Sequence, residues 1–249
     1  MLIRYMCDRL GLADLRDLDV LDFGCGGRFA DAIVNNRLPI KSYTGIDVDR
    51  ELMEFLSANV TDPRLSFYYW NTRNPNYNPA GVPLAADISL PTSERSFDLI
   101  CMFSVITHQL PEDAEILFRI FRRCVRPHGW MFFSATIREM KGDYCEMIPD
   151  RPTAHSAYSA HFLRWLLERT GWRIMSQEGK HHRGMPIQDS FLCAPDMTHR
   201  VDLLRCEGSD AMGAKRTCRE RRKRVDLTKM THLRHWLCTA ALVLMLGFI

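Results

Sequence analysis

Apolar residues come in two rhythms that alternate along this chain. Short runs such as Val20–Phe23, Tyr43–Asp47, Leu65–Trp70 and Phe97–Phe103 predict strands, the last of them continuous after Asp98, as when both faces of a parallel sheet are covered. Between the runs the spacing becomes helical. Phe29, Ala30, Ile33 and Val34 form one apolar face, and Leu52, Phe55, Leu56 and Val60 form another. Residues 3–12 suit a short helix ahead of the first strand. Asp49 stands at an N-cap position; Pro111 opens a helix whose first turn holds Glu112 and Asp113 and whose last holds Arg122 and Arg123, charges that complement the helix dipole. Trp130–Ala135 predicts a fifth strand. Ser159 caps a helix bearing Phe162, Leu163, Leu166 and Leu167 that stops at Gly171, and Trp172–Met175 and Ser190–Ala194 predict two closing strands joined by a polar loop. The stretch from Asn71 to Arg95, rich in Asn and Pro, has no helical period and predicts a long loop, usually functional or disordered in a compact domain. Strands alternating with helices predict an α/β domain.

The first strand runs into Gly24-Cys25-Gly26-Gly27, and the second ends on an acid, Asp47. Glycines let a backbone bend sharply and approach a ligand, and a carboxylate at a strand's carboxyl end accepts hydrogen bonds from both ribose hydroxyls. The pair predicts a nucleoside site. A dinucleotide fingerprint would need a third glycine where Phe29 stands, and a phosphate-binding Walker loop would need Lys and Ser or Thr where Arg28 and Phe29 follow Gly27.

At these residues the chain resembles the class I S-adenosylmethionine-dependent methyltransferases, whose first motif runs acid-x-Gly-x-Gly-x-Gly. Asp22, Gly24 and Gly26 match it; Arg28 takes the place of the third glycine, with Gly27 beside it, as in a loop one residue shorter. The match continues through Asp47, the strand beginning Phe97-Asp98-Leu99-Ile100, and the stretch Arg122 to Gly129, similar to the family's helix end and turn before its fifth strand. The resemblance spans residues 20 to about 195. It implies a Rossmann-like, mostly parallel seven-stranded sheet with helices on both faces and an antiparallel last strand. It also implies S-adenosylmethionine as cofactor, held by Asp22, Gly24, Gly26, Asp47, Asn71 and Ser104. For Asp22, ordering the glycine loop is an equal alternative; for Asn71, the adenine contact competes with a simple turn asparagine.

Methyl transfer from a sulfonium is an in-line displacement, so an enzyme mainly has to position the acceptor atom and exclude water. Ser104 to His108 follows the fourth strand, at the rim where methyl and acceptor would meet. His108 is the candidate base for an acceptor hydroxyl, with capping of the next helix as the structural alternative. Tyr77, His155 and Tyr158 lie in two irregular stretches able to cover an acceptor. His181 and His182 suggest metal, but adjacent histidines point apart and no cysteine or carboxylate cluster joins them, so no metal is expected.

Charge divides the chain. Residues 1–195 carry 22 Lys and Arg against 24 Asp and Glu, a net of −2, whereas residues 196–249 carry 11 against 6, a net of +5. Residues 1–195 are therefore expected to be the catalytic domain and 196–249 a basic tail, solvated and disordered. The run Lys215 to Arg224 suits phosphates of RNA or lipid, and the apolar end Trp236–Ile249 would reach roughly 21 Å as a helix, short of a bilayer core of about 30 Å. Peripheral membrane contact through this tail is the expectation, not a span. Nine scattered cysteines without a C-x-x-C pair, and a start lacking a long apolar core, suggest a cytoplasmic protein with reduced thiols. A small-molecule acceptor, methylated at a hydroxyl of a sugar, lipid head group or other metabolite, is the first reading. A nucleic-acid methyltransferase is second; it lacks support at Ser104-Val105-Ile106-Thr107, where amino-methylating enzymes carry Asn/Asp-Pro-Pro-aromatic, and no cysteine follows a proline as in cytosine-C5 enzymes. A non-catalytic nucleoside-binding scaffold is third.

Overall fold

The computed structural model describes residues 2–179 and 188–198; His181, His182 and the tail from residue 199 onward, with its basic run and apolar end, lie outside them. The first strand, β1 (Leu15–Phe23), is longer than its apolar core, because its polar half has partners of its own. Asp19 accepts hydrogen bonds from Lys41, Ser42 and Arg126. Five strands lie parallel in the order β3 (Leu65–Tyr69), β2 (Ile40–Asp47), β1, β4 (Phe97–Met102), β5 (Val125–Ile137). Beyond β5 comes β9 (Asp189–Pro195), antiparallel to it, and then β8 (Trp172–Glu178), antiparallel to β9. This is the mostly parallel sheet with an antiparallel last strand that the resemblance implied.

Helices cover both faces. α1 (Leu2–Leu10), α2 (Arg28–Asn35) and α3 (Arg50–Asn59) bury Met6, Phe29, Ile33, Leu52 and Leu56 against one face. α4 (Pro111–Cys124) and α5 (Ala160–Arg169) bury Leu117, Phe118, Phe121, Leu163 and Leu167 against the other. The expected caps form: the Asp49 side chain accepts from the Leu52 N–H, that of Ser159 from the Phe162 N–H, and Pro111 opens α4.

Two details differ from the expectation. Pro127, His128 and Gly129 belong to β5 rather than to a turn before it: Phe97 pairs with Val125 while Leu99 pairs with Trp130, so the extra residues bulge. A bulge is where a strand tolerates proline, which has no N–H to give the ladder. The segment between β5 and α5 also contains a small hairpin, β6 (Tyr144–Glu146) and β7 (Ser156–Tyr158), with β7 extending the sheet beside the end of β5. Tyr158 is accordingly a core residue, fully buried, its hydroxyl donating to the Gln109 carbonyl at 2.8 Å, and it does not line an acceptor surface. Among the described residues no helix is long and apolar enough to cross a membrane.

Candidate active site

The chain runs outward from β1 through β2 to β3 and then returns to β4 on the other side of β1. Ligands of such sheets bind at this reversal, outside the carboxyl ends of the strands. The glycine loop lies there, and its N–H groups at Gly24 and Cys25 donate to the Ile46 carbonyl at 2.8 and 3.2 Å, tying it to the end of β2. Gly24 and Gly26 both hold positive φ, +67° and +51°. A Cβ on Gly24 would meet Val105 at 2.5 Å, whereas one on Gly26 would meet nothing within 4 Å. Gly26 therefore borders open space that a side chain would fill.

Asp47 closes the cradle. Its carboxylate accepts from the Gly26 N–H at 2.9 Å and the Asp49 N–H at 3.1 Å, one on each oxygen, and is buried. Burial raises its pKa, opposed by those backbone donors. Each oxygen retains lone-pair capacity for a further donor. An acceptor-only group beside an open, glycine-lined backbone fits the ribose of S-adenosylmethionine. Arg28 is the exposed first residue of α2, following Gly27 as its N-cap. Its backbone is outside the positive-φ set. The shortened loop thus starts the helix at the position where the family pattern has its third glycine.

If the cofactor lies over Gly26, Gly26→Ala should fold with a cost of about 1–2 kcal/mol from the left-handed backbone yet lose most of its cofactor-induced thermal shift. Gly24→Ala should lose both stability and binding, because the methyl also collides with Val105. Differential scanning fluorimetry with and without S-adenosylmethionine separates the two, and an undiminished shift in Gly26→Ala would place the ligand elsewhere.

Asp22 faces the interior. It accepts from the Tyr43 hydroxyl at 2.8 Å and is 3% exposed, tied to the neighbouring strand β2. Burial raises its carboxyl to about 7, against hydrogen bonds from Tyr43 and Cys101 that lower it. An acid whose folded pKa exceeds its unfolded value, about 3.9, keeps its proton in the fold after the unfolded chain has lost it. Stability should therefore fall as pH rises from about 4 to about 7, by at most about 1.4 kcal/mol per unit, and level off above. Asp22→Asn, neutral throughout and still able to accept from Tyr43, should raise the Tm more at pH 8 than at pH 5. Thermal denaturation across that range checks it; an equal gain at both values would show that Asp22 is not the titrating group.

Asn71 is exposed, its side-chain oxygen accepting from the Tyr69 hydroxyl at 2.7 Å and from Asn78 at 3.2 Å. Ser104, just past β4, has φ +59°. Its N–H donates to Ser134 at 2.9 Å, and its hydroxyl accepts from the Gln188 amide at 2.9 Å. Both expected contacts thus already have protein partners.

His108 ends a 3₁₀ turn, Ile106–His108, and does not cap α4, whose N-cap is Leu110 without a side-chain bond. Its Nδ1 lies 3.0 Å from the Thr153 carbonyl and its Nε2 lies 3.3 Å from the Tyr77 hydroxyl. A carbonyl only accepts, so Nδ1 carries the proton and Nε2 offers its lone pair to Tyr77. Burial lowers the His108 pKa, so the ring is neutral at neutral pH. Burial, joined by the Asp47 charge, raises the Tyr77 hydroxyl to about 12. One phenol thus stands within electrostatic reach of Asp47 and within hydrogen-bond reach of the candidate base. His155 lies nearby, its Nε2 2.8 Å from the Thr136 hydroxyl, its own pKa lowered by burial and then by His108.

The loop after β3 is anchored over this rim. Asn74 donates to the His108 carbonyl at 3.3 Å, and its side-chain oxygen accepts from the N–H groups of Asn76 and Tyr77. Asn76 donates to the Thr153 hydroxyl at 3.1 Å. Asn74, Thr153 and Glu146, which accepts from the Thr153 N–H at 2.9 Å, escaped the sequence reading. The Asn-Pro-Asn run signalled a turn for Asn74, and nothing local marked Thr153 or Glu146. No group of three or more His, Cys, Asp or Glu able to hold a metal occurs among the described residues.

Residues 2–177 match a family described as a methyltransferase domain. A ubiquinone biosynthesis O-methyltransferase of Paracidovorax citrulli is 25% identical over 201 residues, 80% of this chain and 70% of that protein. An S-adenosylmethionine-dependent methyltransferase from Mesorhizobium loti superposes with a TM-score of 0.53 at 16% identity, covering 77% of this chain and 97% of the other. A glycopeptide N-methyltransferase complexed with sinefungin superposes with a TM-score of 0.54 at 13% identity, covering 78% and 92%. At such identities these two structures speak for the fold alone.

Proposed function

Since this chain belongs to the methyltransferase family and uses S-adenosylmethionine, we propose that it methylates a hydroxyl of a small-molecule acceptor, with His108 as the base. When bound, the cofactor would supply a sulfonium-activated methyl for the acceptor oxygen. The protein's part is to hold and to deprotonate. Gly26 leaves open space for the ligand beside the backbone, Gly24 lets the loop turn past Val105, Asp47 would accept from the ribose hydroxyls, and His108 Nε2 takes the acceptor's proton through the Tyr77 hydroxyl bonded to it. Asn71 and Ser104 keep their proposed place at the adenine side and the rim. Residues 1–195 form the catalytic unit in this reading, and the basic segment from 196 is an appendage to it.

The observation that carries the reading is the placement of the His108 ring, Nδ1 at the Thr153 carbonyl and Nε2 at a Tyr77 hydroxyl that also senses Asp47. A base of this kind serves a hydroxyl acceptor, which must lose a proton to the protein as the ether forms. Two covering segments joined through Asn76 and Thr153 favour a small acceptor over a duplex. The printed name of the Paracidovorax relative, an O-methyltransferase of ubiquinone biosynthesis, agrees with both points. Incubation of purified protein with methyl-labelled S-adenosylmethionine and a fractionated metabolite extract should yield labelled methyl ethers by mass spectrometry. Label confined to nucleic acid, or no transfer to any fraction, would refute the proposal.

A further inference from the structure

Thr153, between β6 and β7, is buried and holds a φ of +58°. A β-branched residue in the left-handed region is a conformational outlier, and it persists only where its surroundings over-determine it. Three hydrogen bonds do so here, each to a different segment. The Thr153 N–H donates to Glu146 at 2.9 Å, its hydroxyl accepts from Asn76 at 3.1 Å, and its carbonyl accepts from His108 Nδ1 at 3.0 Å. Glu146 is itself held by the hydroxyls of Tyr144 and Ser156. The residue ends no helix, so helix capping does not account for its strain.

What the conformation accomplishes is the direction of one carbonyl. We propose that Thr153 is a positioning residue for the methyl transfer: its left-handed backbone, clamped by Glu146 and Asn76, aims the carbonyl that keeps His108 protonated on Nδ1 and unprotonated on Nε2. The inference rests on the reading of His108 as base. Relaxation of Thr153 to negative φ would swing the carbonyl away and free Nδ1, and the ring would take its proton on either nitrogen or turn. The titratable groups around the ring are Tyr77 from the loop after β3 and His155 from the β6–β7 segment, with Glu146 acting through Thr153 and Arg151 near Tyr77.

The tautomer of His108 is measurable without any acceptor, by two-bond ¹H–¹⁵N correlations in the full chain carrying ¹⁵N-histidine, with the resonance assigned by its loss in His108→Gln. The wild-type ring should carry its proton on Nδ1. Thr153→Val keeps the branch but removes the acceptor for Asn76, and should move His108 toward the Nε2-protonated form. Turnover should then fall on the order of 10- to 100-fold, with the cofactor Kd unchanged within about twofold. Thr153→Asn should restore both, because asparagine tolerates the left-handed region and its amide oxygen can accept from Asn76. Should Thr153→Val not fold, Glu146→Leu, which removes the acceptor for the Thr153 N–H, reads out the same tautomer from the other clamp. A wild-type ring protonated on Nε2, or a tautomer unmoved in the folded variants, overturns the proposal. Full turnover in His108→Ala would remove the base reading and the proposal with it, whatever the tautomer.

Discussion

Asp47→Ala should weaken S-adenosylmethionine binding by about 10²- to 10⁴-fold. The carboxylate is buried at the carboxyl end of β2, each oxygen accepting one backbone N–H and keeping capacity for a second donor. Two ribose hydroxyls would supply those donors, and hydrogen bonds to a charged group contribute about 1.5–3 kcal/mol each. The same change releases the Gly26 N–H, so the cradle loses its anchor as well as its acceptor. Asp47→Asn is the sharper variant. It keeps the volume but, in one amide orientation, sets an NH₂ against the Gly26 N–H, so it should also bind poorly while its circular dichroism stays native. Isothermal titration calorimetry gives the affinities; wild-type affinity in both variants would move the nucleoside site away from β2.

His108→Ala should lower turnover by about 10²- to 10⁴-fold, the usual contribution of a positioned general base, while the cofactor Kd stays within about twofold. The ring's hydrogen bonds are to Tyr77 and Thr153. Its pH dependence follows from burial. A base must be unprotonated to act, and burial holds the His108 pKa below its ordinary value of 6.5. Activity should therefore be flat at neutral pH and lost as pH falls through that lowered value, and the variant's residual activity should lack this acid limb. The measurement is kcat against pH for both proteins with the acceptor found by isotope transfer. Retained turnover, or an acid limb unchanged in the variant, would assign the proton to another group, Tyr77 and His155 being the nearest.

Much of this protein was legible residue by residue, wherever the physical cause is local. Gly24 and Gly26 need positive φ, a demand a glycine states by itself. Asp49 and Ser159 satisfy N–H groups three positions on, and Pro111 begins a helix because it has no N–H to lose. The period of Phe29, Ala30 and Ile33 named the buried face of α2, and Asp47 declared itself by ending an apolar strand. Those features determined the α/β order and the conformation of the glycine loop, while the reversal beside β1 is a matter of strand pairing.

Local rules were silent where a residue's role is set by a distant partner. Alternation along β1 does not say that the Asp22 carboxyl meets Tyr43 across a face that is also buried. Strands of three residues, such as β6 and β7, carry no period to detect. Arg28 looks like a defect in a glycine motif until the helix is seen to begin at that residue, where an ordinary backbone suffices. Tyr77, His108 and Thr153 lie on three segments separated by 31 and 45 residues, and only packing brings phenol, imidazole and strained carbonyl into one line. Sequence by itself determined the strands, the helices and the acid that ends β2, because propensity, capping and glycine conformation act over a few residues. The tertiary structure alone decided which nitrogen of His108 carries the proton, because a tautomer is chosen by whichever acceptor the fold holds against the ring.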